Sequence, residues 1–398
     1  MMKKLMVLAA GILQVPIIKK AKEMGHYVIA ADGDANAIGL KYADKAVVAN
    51  ITDKKMMLQI AQDEKIDGVI HPCSEVSMSV MGYINDSMGL SGISEKMAVK
   101  ATNKHLMRKA FEEFGAPSPQ SYCTMDVVDA WRLLGDKFDA NAILKPSRNS
   151  GSRGIAKIKK GICHNEFIRL YDRALNESKD KQVLIEQFIE GPEFSVEIIV
   201  WNGVVNILAV TDKKTTGAPY FVELGHNQPS VFPKETIEAV QNAAVSGVKA
   251  LNLDNCACHA EIKVENGKAY IMEIGARLGG DFISTVLTNL STGVDMVAAA
   301  IDVALGEKPC LNAKDDKHGV CIRYFCPRPG TLDSIENIEA LNSKYIYASE
   351  IYCKKGDIIK EVKSSVDRSG HVITIDNNSS KAIEKADAII KQIIFNTI

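Results

Sequence analysis

In the stretch HAEIKVENGKAYIMEIGARLGG, residues 259–280, two glutamates and an arginine recur at intervals that could do chemistry. Glu261 and Glu273 lie on alternating apolar segments on either side of Asn266-Gly267, a dipeptide that favours a tight hairpin turn. If the segments pair antiparallel, the acids are symmetric about a turn centred near 267 and project from one face of adjacent strands. Two carboxylates so close repel each other unless a cation sits between them. Mg²⁺ with nucleotide phosphates suits that arrangement, since magnesium takes oxygen ligands and few of them from protein. Arg277, four residues on, could counter charge developing on a transferred phosphoryl group. The competing reading is a surface hairpin with solvated charges. Against it stands the apolar company of Ile262, Val264, Ile271 and Ile274, which implies a partly buried face where unpaired carboxylates are costly.

A second segment, PSRNSGSRG at 146–154, follows Lys145. Its small residues let backbone N–H groups turn toward phosphate oxygens, and Arg148 and Arg153 add charge. The spacing is not that of a P-loop, and the segment reads equally as a phosphate cover or a plain mobile hairpin.

These residues need elements to position them. Residues 3–75 alternate apolar runs with amphipathic periods, including a helix over 14–24 and another opened by Thr52, the pattern of a parallel sheet covered by helices. Gly11 follows the first strand and Asp32 ends the second, but the turn lacks the further glycines of a dinucleotide fingerprint, which leaves a Rossmann-like scaffold. Thr102 or Asn103 caps a helix that ends at Gly115. Antiparallel strands follow around Gly191-Pro192 and Asn202-Gly203, then helices over 235–250 and 284–305. Strands near 319–325, 347–353 and 371–375 and a helix over 379–394 complete a small C-terminal α+β unit.

The chain of 398 residues has room for two or three domains and carries a net charge of −1, which gives no general attraction to nucleic acid or anionic membrane. No apolar run of about 18 residues occurs, so neither a membrane span nor export is expected. The nine cysteines include no CxxC pair and read as buried free thiols in a reducing cytoplasm.

The order Lys104, Lys145-Pro146, glycine-rich loop, Glu186-Gln-Phe-Ile189, Gly191-Pro-Glu193, Glu261, then Glu273-x-x-x-Arg277 resembles the ATP-grasp superfamily. The similar branch contains biotin carboxylase, carbamoyl phosphate synthetase and the L-amino acid ligases. The resemblance spans essentially the whole chain and rests on the ordered set of motifs. It implies an α/β and α+β fold: a Rossmann-like domain over 1–95, an ATP-grasp domain over 96–310 with a β-rich lid over 119–187, and a C-terminal domain over 311–398. It further implies that Lys104 and Lys145 contact ATP phosphates, and that the loop with Ser147, Ser150, Gly151, Ser152 and Gly154 closes over them. Glu186, Gln187 and the backbone around Phe188 and Ile189 would receive adenine, Glu193 the ribose, and Glu261 and Glu273 would hold Mg²⁺, for which Mn²⁺ can substitute. Arg277 would stabilise formation of an acyl phosphate. Many relatives place an Asn two residues after the second Glu; here Gly275 stands in its place, and the A-R-x-G-G continuation is closer to amino acid ligases. On that basis Gly279 and Gly280 let a substrate carboxylate approach the backbone. His226, in a loop, would lie near phosphates or acceptor, and Glu75, at a parallel strand end, near substrate. The implied activity is ATP-dependent joining of a small-molecule carboxylate, an amino acid, to an amine, by a protein whose relatives often form homodimers. Carboxylation through carboxyphosphate and a nucleotide-binding regulator without turnover are the rival readings.

Overall fold

A computed structural model describes residues 1–149 and 153–398; Ser150, Gly151 and Ser152, expected at the phosphates, lie outside the described residues. The opening segments form a parallel sheet in the order Lys45–Val48, Tyr27–Asp32, Lys4–Leu8, Gly68–Ile70. Leu5, Met6, Val7 and Leu8 are all fully buried, which is why this strand reads as an unbroken apolar run. Asp32 accepts hydrogen bonds from the backbone N–H groups of Ala10 and Asp34, which accounts for an acid at this strand end without a dinucleotide. The helix expected to open at Thr52 is instead capped by Asp53, whose carboxylate accepts from Lys55 and Met56 N–H before Lys54–Glu64.

Two helices lead to the next layer. Glu95–Thr102 has no counterpart in the sequence reading, whereas Lys104–Phe114 is capped by Asn103 and ends at Gly115, φ +77°. Strands Ser121–Thr124, Val183–Gln187, Ala142–Pro146 and Ala156–Ile158 then form an antiparallel sheet. Helices Val127–Lys137 and His164–Glu177 cover it through a core around Phe167, Tyr171 and Ile185.

An eight-stranded antiparallel sheet follows, beside a small sheet of Ile358–Ile359, Gly330–Glu336 and Ile394–Thr397 in the C-terminal part. Its order is Lys268–Gly275, Cys256–Glu265, Glu193–Trp201, Val204–Thr215, Glu223–Gln228, Gly319–Tyr324, Gly370–Asp376, Ile346–Ile351. The Asn202-Gly203 hairpin forms as expected, with Trp201 opposite Val204. The strands flanking Gly191-Pro192 do not pair with each other, because one belongs to each sheet. Gly191 passes so close to strand Cys256–Glu265 that a Cβ there would lie 2.2 Å from the Val264 carbonyl oxygen. The helix expected over 284–305 is broken at Gly293, φ +75°, into Ile283–Leu287, Thr288–Thr292 and Met296–Ala304. Among the described residues no single helix is long and apolar enough to cross a membrane.

All nine cysteines are free thiols. Cys256 and Cys258 share a strand face with sulfurs 3.6 Å apart, but Cys163, Cys310 and Cys326 are exposed, so burial describes only part of the set.

Candidate active site

The hairpin fixes the first geometry. From Glu265↔Lys268 to Ile262↔Ile271 the pairing is regular about a turn centred between Asn266 and Gly267, which alone would set Glu261 opposite Met272. A β-bulge at Met272 shifts the register, and Glu261 stands opposite Glu273. Simple symmetry about 267 gave the right pair without its cause: the bulge lets the consecutive residues Met272 and Glu273 both line one cleft.

Residues opposite one another in an antiparallel sheet share a face, so the register extends this pair into rows. Glu273, Glu261, Ser195 and Thr211 form one row. Lys263, Glu193, Lys213 and His226 form the next, and Gly275, His259 and Glu197 a third. His226 is therefore a fully buried strand residue on the active face, not a loop residue, and its Nε2 lies 3.2 Å from Asp281.

Every acid on this face has a cation. Lys213 Nζ lies 2.7 Å from Glu193, 3.2 Å from Glu261 and 3.8 Å from Glu223. Although burial opposes it, those carboxylates hold the Lys213 ammonium well above its ordinary pKa. Glu261 is pushed well below the usual carboxylate range by Lys213 and His259, which outweigh its burial. Lys104, the first residue of its helix, donates to Glu273 at 2.9 Å. Arg108, one helical turn later, donates to Glu186 at 2.8 Å. Arg277 reaches Glu75 at 3.3 Å, and burial followed by the nearby Glu273 raises the Glu75 pKa. Glu75 lies in the segment that follows strand Gly68–Ile70, and its pairing with Arg277 was not part of the sequence reading.

Glu186, expected at adenine, lines the same cleft as Gln187, Phe188 and Ile189. It is 1% exposed and spends its oxygens on Arg108, Ser121 and Lys145. Despite burial, Arg108 and Lys145 bring its pKa down to about 2. Burial and the adjacent Arg108 push Lys145 down to about 8, so its charge depends on Glu186. Ser147 is turned away, fully buried with its hydroxyl on Asn103, and Gly154, φ +76°, packs under Pro146 and Glu177. A Cβ on Gly279 would lie 2.6 Å from His259 Nδ1, so that glycine is needed for packing whatever approaches it. Gly280 has open space at its Cβ position, and beside Gly275 the Arg277 side chain folds back at 3.3 Å.

Two adjoining clefts run along this face. One is lined by Ile143, Ile155, Phe188, Ile189, Phe221 and Met272 together with Glu186, Gln187, Glu193, Lys213 and Lys263. The other holds Glu75, Asn149, Arg153, His259 and Arg277, and the clefts share Lys104, Lys145, Ile155, Glu223, Glu261 and Glu273. A partly apolar cleft thus leads into a charged one.

Residues 138–286 match the model of the ATP-grasp domain, and residues 323–397 that of L-amino acid ligase C-terminal domain 2. The chain thus carries an ATP-grasp domain. An L-amino acid ligase from Bacillus licheniformis superposes on this chain with TM-score 0.83 at 18% identity, covering 100% of this chain and 99% of that one. Phosphoribosylglycinamide synthetase from Anaerococcus prevotii gives TM-score 0.79 at 24% identity, covering both chains fully. Alanine–anticapsin ligase of Bacillus subtilis is 28% identical over 252 residues, 58% of this chain and 52% of that enzyme. The chain spans between 52% and 58% of the length of the alanine–anticapsin ligases it matches.

Sequence reasoning missed Lys213, Arg108, His259, Glu197 and Glu223. His259 carried a usable signal, since it stands two residues before Glu261 and therefore on the same strand face. Its Nδ1 lies 2.5 Å from Glu197, which with that pairing outweighs burial and raises the His259 pKa to about 9.

Proposed function

We propose that this protein is an ADP-forming carboxylate–amine ligase whose carboxylate substrate is an amino acid. The observation that carries the reading is the pair of directly opposed, same-face carboxylates Glu261 and Glu273 where a partly apolar cleft passes into a charged one. The match of residues 323–397 to an L-amino acid ligase domain favours an amine over bicarbonate chemistry. In the proposed reaction a substrate carboxylate oxygen attacks the γ-phosphorus of ATP, the bond to the β-phosphate oxygen breaks, and acyl phosphate and ADP result. The amine then attacks the acyl carbon, phosphate leaves, and the amine loses a proton as the amide forms.

Lys104 and Lys145 bind phosphate oxygens in this reading, with Glu186 holding Lys145 in place. Ile143, Ile155, Phe188, Ile189 and Met272 enclose adenine, with Gln187 at its edge, and Glu193 takes the ribose. Arg277 neutralises the transferred phosphoryl group, and Glu75 and His226 face the substrates. Glu261 and Glu273 fit Mg²⁺: no cluster of three or more ligating side chains occurs among the described residues, and magnesium completes two carboxylates with phosphate oxygens and water. When bound, Mg²⁺ neutralises phosphate charge; Mn²⁺ is proposed to substitute. The expected divisions at 95/96 and 310/311, a cytoplasmic location and a homodimer belong to the same proposal.

The test is ADP release screened across amino acid pairs, with hydroxylamine to trap the acyl phosphate as a hydroxamate and Glu273→Gln as control. ADP and hydroxamate formed only with particular acids would support the reading. ADP that requires bicarbonate, or nucleotide binding with no ADP from any pair, would reject it.

A further inference from the structure

We infer that Arg108 is a positioning residue that sets the register of the metal clamp. The inference rests on the proposed Mg²⁺–nucleotide site and concerns a residue that touches neither. Arg108 is 5% exposed, and its guanidinium bridges two sheets. Toward the four-stranded sheet, Nε and Nη2 donate to Glu186 at 2.8 and 3.2 Å, and Glu186 in turn pairs with Lys145. Toward the eight-stranded sheet, Nη2 donates to the carbonyl oxygen of Met272 at 2.7 Å.

Met272 is the extra residue of the bulge that sets Glu273 opposite Glu261. A bulged residue drops out of the regular ladder, so its backbone needs another partner. Arg108 supplies one, and Lys104, one turn earlier on the same helix, grips the side chain of Glu273 next door. One helix face therefore fixes two successive bulge residues, one lining the partly apolar cleft and one aimed at the metal. The planar guanidinium matters, since a lysine ammonium at this depth lacks the fork that serves carboxylate and carbonyl together.

The experiment reads metal binding and needs no turnover. Mg²⁺ is titrated calorimetrically into full-length protein saturated with a non-hydrolysable ATP analogue, for the parent, Arg108→Lys and Glu186→Gln. Arg108→Lys should raise the half-saturating Mg²⁺ concentration on the order of tenfold or more, as loss of a group that orients a metal ligand does. Glu186→Gln keeps the Arg108–Met272 bond and should leave the Mg²⁺ titration near the parent's while weakening binding of the analogue. An unchanged titration in Arg108→Lys overturns the inference, as does an equal weakening in both variants, which would mean general loosening. Should Arg108→Lys fail to fold, Arg108→Gln is titrated in its place, with the same outcomes. A parent that binds the analogue without Mg²⁺ dependence overturns both this inference and the site reading, whereas normal Mg²⁺ binding without turnover overturns only the proposed reaction.

Discussion

His71 should make the fold lose stability as the medium turns mildly acidic. It follows strand Gly68–Ile70, is 1% exposed, and has Nδ1 2.8 Å from the Leu8 carbonyl oxygen while Ser77 N–H donates to Nε2 at 3.3 Å. Nδ1 must therefore carry the proton and Nε2 must accept, a neutral tautomer with no place for a second hydrogen. Burial, helped by the positive charge of Arg277, lowers the His71 pKa from 6.5 to about 4. As pH falls the unfolded chain binds this proton first, so stability is full above pH 6.5 and declines toward pH 4. Between pH 7.5 and 5 those values correspond to a loss of about 2 kcal/mol, at 1.36 kcal/mol per pH unit once well below 6.5. The assay is urea unfolding of the parent and His71→Gln at both pH values. The variant is less stable at pH 7.5, but its loss between the two values should be smaller than the parent's by about 2 kcal/mol. Equal losses would refute the argument that His71 is held neutral.

Glu261→Gln and Glu273→Gln should each lower ADP release at least ~100-fold, measured at saturating ATP, because each removes half of the proposed metal clamp. Arg368 donates to both oxygens of Asp281 at 2.7 and 2.8 Å and lies 3.6 Å from the centre of the Tyr324 ring, so Arg368→Ala should cost roughly 3 kcal/mol in urea unfolding by leaving a largely buried carboxylate without its guanidinium. Thiol titration should modify Cys163, Cys310 and Cys326 quickly and Cys256, Cys258 and Cys321 only on unfolding, read by mass spectrometry of the labelled peptides.

What could be read from sequence followed periodicity. The parallel sheet, the Asn202-Gly203 hairpin and the acid pair all announce themselves through alternation and turn residues. Lys213 does not: it and Lys214 are adjacent lysines in one strand, yet the first side chain is 3% exposed and the second 56%. Only the pairing with Glu193 says which one faces the cleft. Arg108 was within reach, since it stands four residues after Lys104 on a helix and so shares its face. The bulge at Met272 was not, because an extra residue in a strand leaves the local pattern almost unchanged. The pairing of Glu186 with Arg108 and Lys145 was not legible either, because sequence shows a carboxylate but not the depth that obliges it to pair.

The eight-stranded sheet has a consequence for anyone who wishes to rebuild this protein from parts. Gly319–Tyr324 hydrogen-bonds directly to Glu223–Gln228, the strand that carries Glu223 and His226. A fusion joined at 310/311 would swap one whole flank of that strand, and a truncation there would leave its backbone as a bare edge open to pairing with another chain. Exchange of substrate preference between relatives is better sought by grafting side chains within the intact sheet than by shuffling segments.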